Sequence, residues 1–562
     1  MLFLEQKTLL ATLISALCLS ACGNGESATV TPAPTPTPTP KAEFKPVEGT
    51  ISQLHAALKD GTTSCEQVVQ HYIDRINAYD SAGPTLNSVI AVNADALTKA
   101  HEQDEALAAG ASMQPLQCVT VLLKDNIDTA DMPTTAGGLA LQFSQPEDDA
   151  YIVKRLREQG AIILGKANLD EFAFGYQGSS SMRGQVKNAY DQTRGPGGSS
   201  AGTGAAIAAS FAMVGLGTDT GGSIRVPSSL EGLVGLRPSL RLVSQDGIVP
   251  LAHSQDTAGP MCRTVEDCAL VMDALAGYDA SSHSGQRSSY QHDAALVSSA
   301  VAYRDMTHLP DSYASGLSAS GLKGAHIGVV RALFGDGSSD ENKAVQAVMN
   351  AALEKMQAAG ATVEDVTIPG LDTLLSKYKS VSRYEFCNDL SSYLSSWSSS
   401  LDNHYTSFQQ VAASLAYEVR NQGTFSSYGN YCGDQSGNAD YQLNLTERPQ
   451  AVRAALLQTL ENLDAAGRAQ GLPYDVIVYP TILGLAPELG KSPVAGSNNR
   501  LSPLSGFPAL TMPAGMAATE PALPVGIEML GREFAEPTLL KLAYSYQQQV
   551  KPRQAPTATP EL

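Results

Sequence analysis

No stretch of this 562-residue chain strings together enough apolar residues to cross a bilayer as a mature helix, which takes about 20. Any attachment to a membrane would then be by lipid alone. A basic surplus is missing too: 37 Lys and Arg against 56 Asp and Glu leave a formal net charge of −19, which argues against a nucleic-acid surface and favours solubility. No Cys-x-x-Cys pair and no histidine cluster suggests a metal site, so no cofactor is predicted. The body shows no repeat and no internal linker comparable to the one near its N-terminus. What is present is 43% hydrophobic content, over a length that can bury a large core.

Three residues carry the chemistry. Ser199 sits in Gly197-Gly198-Ser199-Ser200-Ala201-Gly202, Ser223 in Asp219-Thr220-Gly221-Gly222-Ser223-Ile224-Arg225, and Lys124 in Val121-Leu122-Leu123-Lys124-Asp125. The Ser223 hydroxyl becomes a competent nucleophile when a base takes its proton during attack on a carbonyl. Lys124 can be that base only when neutral. At its ordinary pKa of about 10.4 a lysine is neutral in well under ~1% of molecules at pH 7, so the site must desolvate it, as the flanking Val-Leu-Leu suggests. A second hydroxyl between amine and nucleophile would relay the proton, and that place falls to Ser199. The backbone N–H groups of Thr220, Gly221, Gly222 and Ser223 are candidates for an oxyanion hole, because glycines leave the approach open.

The stretch from Gly195 to Pro227, with Lys124 upstream, resembles the amidase signature family. The resemblance runs from roughly Thr50 to Arg553. It includes Leu164-Gly165-Lys166-Ala167-Asn168, Gly232 to Pro238 and Pro524-Val525-Gly526-Ile527. It implies Lys124 as base, Ser199 as a bridging serine on a cis peptide bond, and Ser223 as the acyl-forming nucleophile. Asp219 and Arg225 match positions that brace the nucleophile loop, and Ser200 is placed with them as support. The implied fold is α/β, a central mixed twisted sheet covered by helices on both faces. It sets aside the prior of about three or four domains that length alone gives. Two departures stand out: Cys118-Val119-Thr120 replaces a usual Gly-hydrophobic-Pro turn before the lysine strand, and Ala201 replaces a usual glycine. Segments Thr135 to Leu141 and Ser254 to Pro260 are similar to bacterial peptide amidases, and the second also resembles a family segment that approaches the active site.

Other readings compete. Gly198-Ser199-Ser200-Ala201-Gly202 matches the Gly-x-Ser-x-Gly elbow of an α/β-hydrolase-type esterase with Ser200 as nucleophile and His253 as its histidine. That elbow should follow a buried strand, whereas Gln192 to Gly197 is polar and turn-like. A non-catalytic binding lipoprotein that kept the fold is a second alternative, against which the intact Lys124, Ser199 and Ser223 argue. Glycine- and serine-rich stretches alone more often form flexible loops. Lys124 alone would more often be a strand-end residue whose amine reaches water.

The N-terminus resembles a bacterial lipoprotein signal. Lys7 precedes an apolar stretch from Leu9 to Leu17, then Leu19-Ser20-Ala21-Cys22. The pattern implies cleavage before Cys22, lipidation of its sulfur and new amino group, and a lipid anchor in the cell envelope facing the periplasm or exterior. The bland alternative is an ordinary secretory signal. Thr31 to Pro40 alternates Thr or Ala with Pro, and at about 3.1 Å per residue it could hold the body about 30 Å from the anchor. The expected organisation is 1–21 signal peptide, 22–49 anchored linker, 50–553 amidase signature domain and 554–562 flexible tail. Expected partners are a small-molecule or peptide amide substrate and the membrane, with no obligate protein partner. The transfer-RNA amidotransferase branch is less plausible for an exported chain.

Ser64-Cys65-Glu66-Gln67 has capping-box spacing, with apolar positions from Val68 to Ile76 suggesting a helix to about Tyr79. Strands are expected around Val119–Leu123, Ala161–Leu164, Val214–Leu216, His326–Val330 and Asp475–Tyr479. Helices are expected over Ala201–Ala209, Glu341–Ala359 and Glu536–Gln549. The serine-rich stretches from Ala280 to Leu322 and Ser391 to Ser400 read as loops or insertions near a substrate entrance. Six cysteines remain once Cys18 and Cys22 are set aside, and export permits disulfides. Their pairing is not readable from sequence, and Cys387 with Cys432 is no more than a guess. Cys118 reads as a buried structural cysteine.

Overall fold

The computed structural model describes residues 44–280, 300–396, 405–494, 496 and 498–562. The leader, Cys22, the Thr/Pro alternation and parts of both serine-rich stretches lie outside the described residues.

The body is organised by one eleven-stranded sheet. In chain order its strands are β1 Val89–Val92, β2 Thr120–Lys124, β3 Ile162–Ala167, β6 Val214–Thr218, β7 Val234–Arg237, β8 Ala258–Cys262, β9 His326–Val329, β10 Thr362–Asp365, β11 Val476–Pro480, β12 Ala509–Ala517 and β13 Leu523–Leu530. A separate hairpin pairs β4 Ser179–Ser180 with β5 Gly184–Gln185. Across the sheet the order is β1-β3-β2-β6-β8-β7-β12-β13-β11-β9-β10. The sheet is mixed. Strands β3, β2 and β6 run parallel to one another, as do β11, β9 and β10, and antiparallel pairs join the two parallel trios. Every residue of β2, β3, β6, β7, β8, β11 and β13 is buried, so both faces of the sheet are covered. This is the expected α/β architecture, a central mixed sheet covered on both faces.

Each strand anticipated from the sequence is present within a few residues. The helices Ala201–Ala208, Asp340–Ala358 and Glu536–Val550 also match their expected places. The helix beginning at Cys65 runs to Arg75 and continues as a π-helical turn, Ile76–Asp80. Its Ser64 cap accepts from the Gln67 N–H, whereas a reciprocal capping box opens the preceding helix, Ile51–Asp60, through Thr50 and Gln53.

The ends of the body depart from expectation. Phe44 is buried and Glu48 pairs with Arg553 at 2.7 Å, so ordered structure begins within the expected linker. Residues 554–562, expected as a flexible tail, dock on the surface. Arg75 donates to the carbonyls of Thr559 and Pro560, and Tyr190 donates to the carbonyl of Gln554. Disulfides join Cys65 to Cys118 and Cys387 to Cys432, while Cys262 and Cys268 are free and buried. Among the described residues no helix is long and apolar enough to cross a membrane.

Candidate active site

The C-terminal ends of parallel strands are where open α/β sheets gather their functional groups. Here the trio β3-β2-β6 ends at Ala167, Lys124 and Thr218. The chain beyond β3 supplies Asp170, and the chain beyond β6 supplies the segment Asp219–Ser223. Lys124 is the last residue of a central strand and is fully buried, so its amine must find partners inside the protein. It donates to Ser199 Oγ at 2.7 Å and to Thr218 Oγ1 at 2.8 Å. Burial pulls its pKa down to about 7, against the opposing charges of Asp170, Asp219 and Asp256.

Ser199 follows a cis peptide bond after Gly198. Its segment is held from two sides: the Asp170 N–H donates to the Ser199 carbonyl at 3.0 Å, and the Ser200 N–H donates to the Ser223 carbonyl at 3.1 Å. That second bond ties the two serine segments together. A β-carbon on Gly198 would lie 2.0 Å from Asp170 Oδ2, which accounts for the glycine there. Ser200 faces away from this work. Its buried hydroxyl donates to the Thr218 carbonyl and accepts from the Thr218 N–H, and no strand precedes it, so the elbow reading fails on both counts. The usual glycine replaced by Ala201 demanded no positive φ here, since Ala201 opens the helix Ala201–Ala208.

Ser223 is 4% exposed and terminates a loop braced by Asp219. The Asp219 carboxylate accepts from the N–H groups of Gly222 and Ile224 and pairs with Arg225 at 3.0 Å and Arg237 at 3.3 Å. Burial pushes this carboxyl up, yet Arg225 and Arg237 outweigh it and hold it below the usual range. Arg225 in turn donates to Glu528 on β13 and to the Asn499 carbonyl. Thr220, Gly221 and Ser223 have N–H groups with no protein acceptor among the described residues. Gly222, expected alongside them, instead turns its N–H to Asp219 Oδ1 at 2.7 Å, so in this conformation that donor is not open to a substrate oxygen.

The segment Ser254–Pro260 does reach this loop. Gln255 Nε2 donates to the Thr220 carbonyl at 2.6 Å, Thr220 Oγ1 donates to Asp256, and the Asp219 N–H donates to the Thr257 carbonyl. Several contributors carry no sequence signal of their own. Asp170, two residues beyond Asn168, is buried with its pKa pushed up to about 6 by desolvation, partly offset by Arg420. Thr218 and Arg237 are equally silent in the sequence, and only the sheet register brings them here.

His253 is satisfied elsewhere: its Nδ1 bonds Asp389 at 2.7 Å and faces Glu385 at 3.6 Å. Asp389 and Glu385 belong to the helix Ser382–Ser395, which contains the start of the second serine-rich stretch. The Cys118-Val119-Thr120 departure keeps a tight turn, because Cys118 adopts φ 61°, the left-handed conformation that glycine favours.

Fold and site together define the class, a mixed-sheet α/β enzyme with a lysine–serine centre. The family model described as Amidase matches residues 67–540. A peptide amidase structure from Stenotrophomonas maltophilia is 32% identical with a TM-score of 0.76, covering 91% of this chain and 99% of that one. An amidase family protein from Bacillus anthracis is 30% identical with a TM-score of 0.73, covering 91% and 93%. A glutamyl-tRNA(Gln) amidotransferase subunit from Exiguobacterium sibiricum is 32% identical over 514 residues, 89% of this chain and 97% of that protein. The chain belongs to the amidase family, the amidase signature enzymes that hydrolyse amide C–N bonds.

Proposed function

We propose that this chain is an exported, lipid-anchored amidase that cleaves carboxamides through a Ser223 acyl-enzyme. The observation that carries the mechanism is the fully buried Lys124 amine on Ser199 at 2.7 Å, with its pKa drawn down to about 7. Neutral Lys124 accepts the Ser199 proton as Ser199 accepts that of Ser223, and Ser223 Oγ bonds to the amide carbon. The N–H groups of Thr220, Gly221 and Ser223 take the developing oxyanion. Return of the proton through Ser199 to the amide nitrogen expels the amine. Water then attacks the acyl-enzyme, with the same lysine as base, and releases the acid. Asp219 and Arg225 shape the loop, and Ser200 pins the start of the helix behind Ser199 to the end of β6.

Peptide amides are the proposed substrate class, supported by the likeness to the S. maltophilia peptide amidase at 91% coverage. The glutamyl-tRNA(Gln) amidotransferase relatives match this chain equally well in sequence. The leader pattern ending at Cys22 favours the exported reading over theirs. It also supports placement in the cell envelope.

A serine-directed probe tests the nucleophile. We expect labelling of a tryptic peptide containing Ser223, abolished by Ser223→Ala and strongly slowed by Lys124→Ala. Label on Ser200 that survives Lys124→Ala would point to the esterase reading, and no label at all to a binding protein.

A further inference from the structure

Arg448 is a buried cation whose hydrogen bonds go to neutral groups only. It opens the helix Arg448–Leu460 and is 3% exposed. Two other buried arginines use their forks fully: Arg225 reaches two carboxylates and a carbonyl, and Arg75 spends Nε and both terminal nitrogens on four carbonyls. Arg448 uses Nη1 alone, on Gln255 Oε1 at 3.0 Å and the Lys379 carbonyl at 2.8 Å. Its Nε is buried without an acceptor, and Nη2 has none among the described residues. Burial pulls its pKa down to about 10 despite the opposing charge of Glu385, the sign of a cation poorly compensated by its surroundings. Guanidinium groups buried in this state call for an anion.

An open cavity of about 590 Å³ lies against this residue. Lys124, Ser199, Ser223 and the backbone of 220–222 do not line it, so it is separate from the reaction centre. No carboxylate lines it either, in a chain of net charge −19. His253 stands in the wall with Nδ1 bonded to Asp389, and its Nε2 has no partner among the described residues. Burial disfavours its charge, but Asp389 and Glu385 outweigh that and raise its pKa to about 9, so it is protonated at neutral pH. Arg241 and Arg453 also reach the wall, where they share the single Glu533 carboxylate. The remaining surface is largely apolar, supplied by Leu240, Leu445, Pro449 and Leu504.

We propose that this cavity is a second binding site, for a small organic carboxylate with an apolar body, whose carboxylate is held by Arg448 and His253 while its hydrocarbon lies on Leu445 and Leu504. A carboxylate oxygen suits the unpartnered Nη2 of the guanidinium. The apolar wall separates such a ligand from inorganic anions, which would leave it wet. The site does not rest on the catalytic assignment.

Titration calorimetry of the full chain with sodium hexanoate tests this directly. The expected result is saturable one-to-one binding with Kd of about 1 mM or tighter, and at least about tenfold weaker binding of hexan-1-ol and of inorganic phosphate. Arg448→Gln and, independently, Leu445→Trp, which fills the cavity without touching the buried arginine's bonds, each weaken hexanoate by about tenfold or more. Ser223→Ala leaves it unchanged. Absence of saturable binding, survival in both cavity variants, phosphate binding as well as hexanoate, or loss in Ser223→Ala would each overturn the proposal.

Discussion

At single residues, catalysis turns on where the proton sits. Lys124 works as a base only when neutral, and its pKa of about 7 lies far below the ordinary lysine value because the amine is buried. The neutral fraction therefore rises with pH through 7. The pH profile of kcat/KM should have an acid limb with an apparent pKa near 7, falling about tenfold per unit below it, and Lys124→Ala should lower the rate by about 10²–10⁴-fold at pH 8. A profile flat from pH 5 to 8 would contradict a lysine base. Gly222 gives a second residue-scale outcome. It has φ +134°, and an added β-carbon would lie 2.2 Å from Asn499 Nδ2, so Gly222→Ala must shift the loop that presents Ser223. We expect a fall in kcat of about 100-fold or more with little change in KM, read by steady-state kinetics. Lys124, Ser199 and Ser223 were legible in sequence because a reacting group must have a particular chemistry. Asp170, Thr218 and Arg237 were not, since each acts through a neighbour that only folding supplies. Nor could spacing reveal that Gly222 gives its N–H to Asp219.

Among elements, the buried ion-pair cluster that joins the nucleophile loop to β7 and β13 is the main structural device. Asp219, Arg225, Arg237 and Glu528 are all fully buried, so removing one partner strands charge inside the protein. Asp219→Ala should destabilise the fold by about 3–5 kcal/mol in urea unfolding, and a change below about 1 kcal/mol would show that the cluster is not structural. The disulfide between Cys387 and Cys432 clips the helix Ser382–Ser395 to the chain after Gln422–Gly429, across a separation of 45 residues. Replacing both cysteines by serine should cost about 2–4 kcal/mol, seen as a lower Tm under non-reducing conditions. Strands rich in Val, Ile and Leu, such as β2 and β11, announced themselves. Strands β12 and β13 gave no clear strand signal, because Ala509–Ala517 and Leu523–Leu530 contain prolines and glycines that ordinarily weaken a strand assignment. The helices between Leu371 and Leu460 also escaped detail, their polar faces and short lengths giving weak periodicity.

For the whole molecule, the sheet order explains why residues about a hundred positions apart converge: β2 and β6 are adjacent and parallel, which brings Lys124 to Thr218 and to the serine segments around it. Strand and helix signals along the chain pointed to an alternating α/β organisation, while the form of the sheet came from the family resemblance; composition alone could not have ordered eleven strands. Export was read from the leader pattern alone. If Cys22 is lipidated, the protein expressed in a bacterial host should partition into detergent and incorporate labelled palmitate, and Cys22→Ser should move it to the aqueous phase without label. Aqueous partitioning of the unaltered chain would leave an ordinary secretory signal. The central claim is hydrolysis of an amide at Ser223. Its most direct test is release of ammonia or amine from a panel of peptide amides, aryl amides and simple carboxamides, comparing the protein with Ser223→Ala. Release from peptide amides should disappear in the variant, and release undiminished by Ser223→Ala would contradict hydrolysis at Ser223.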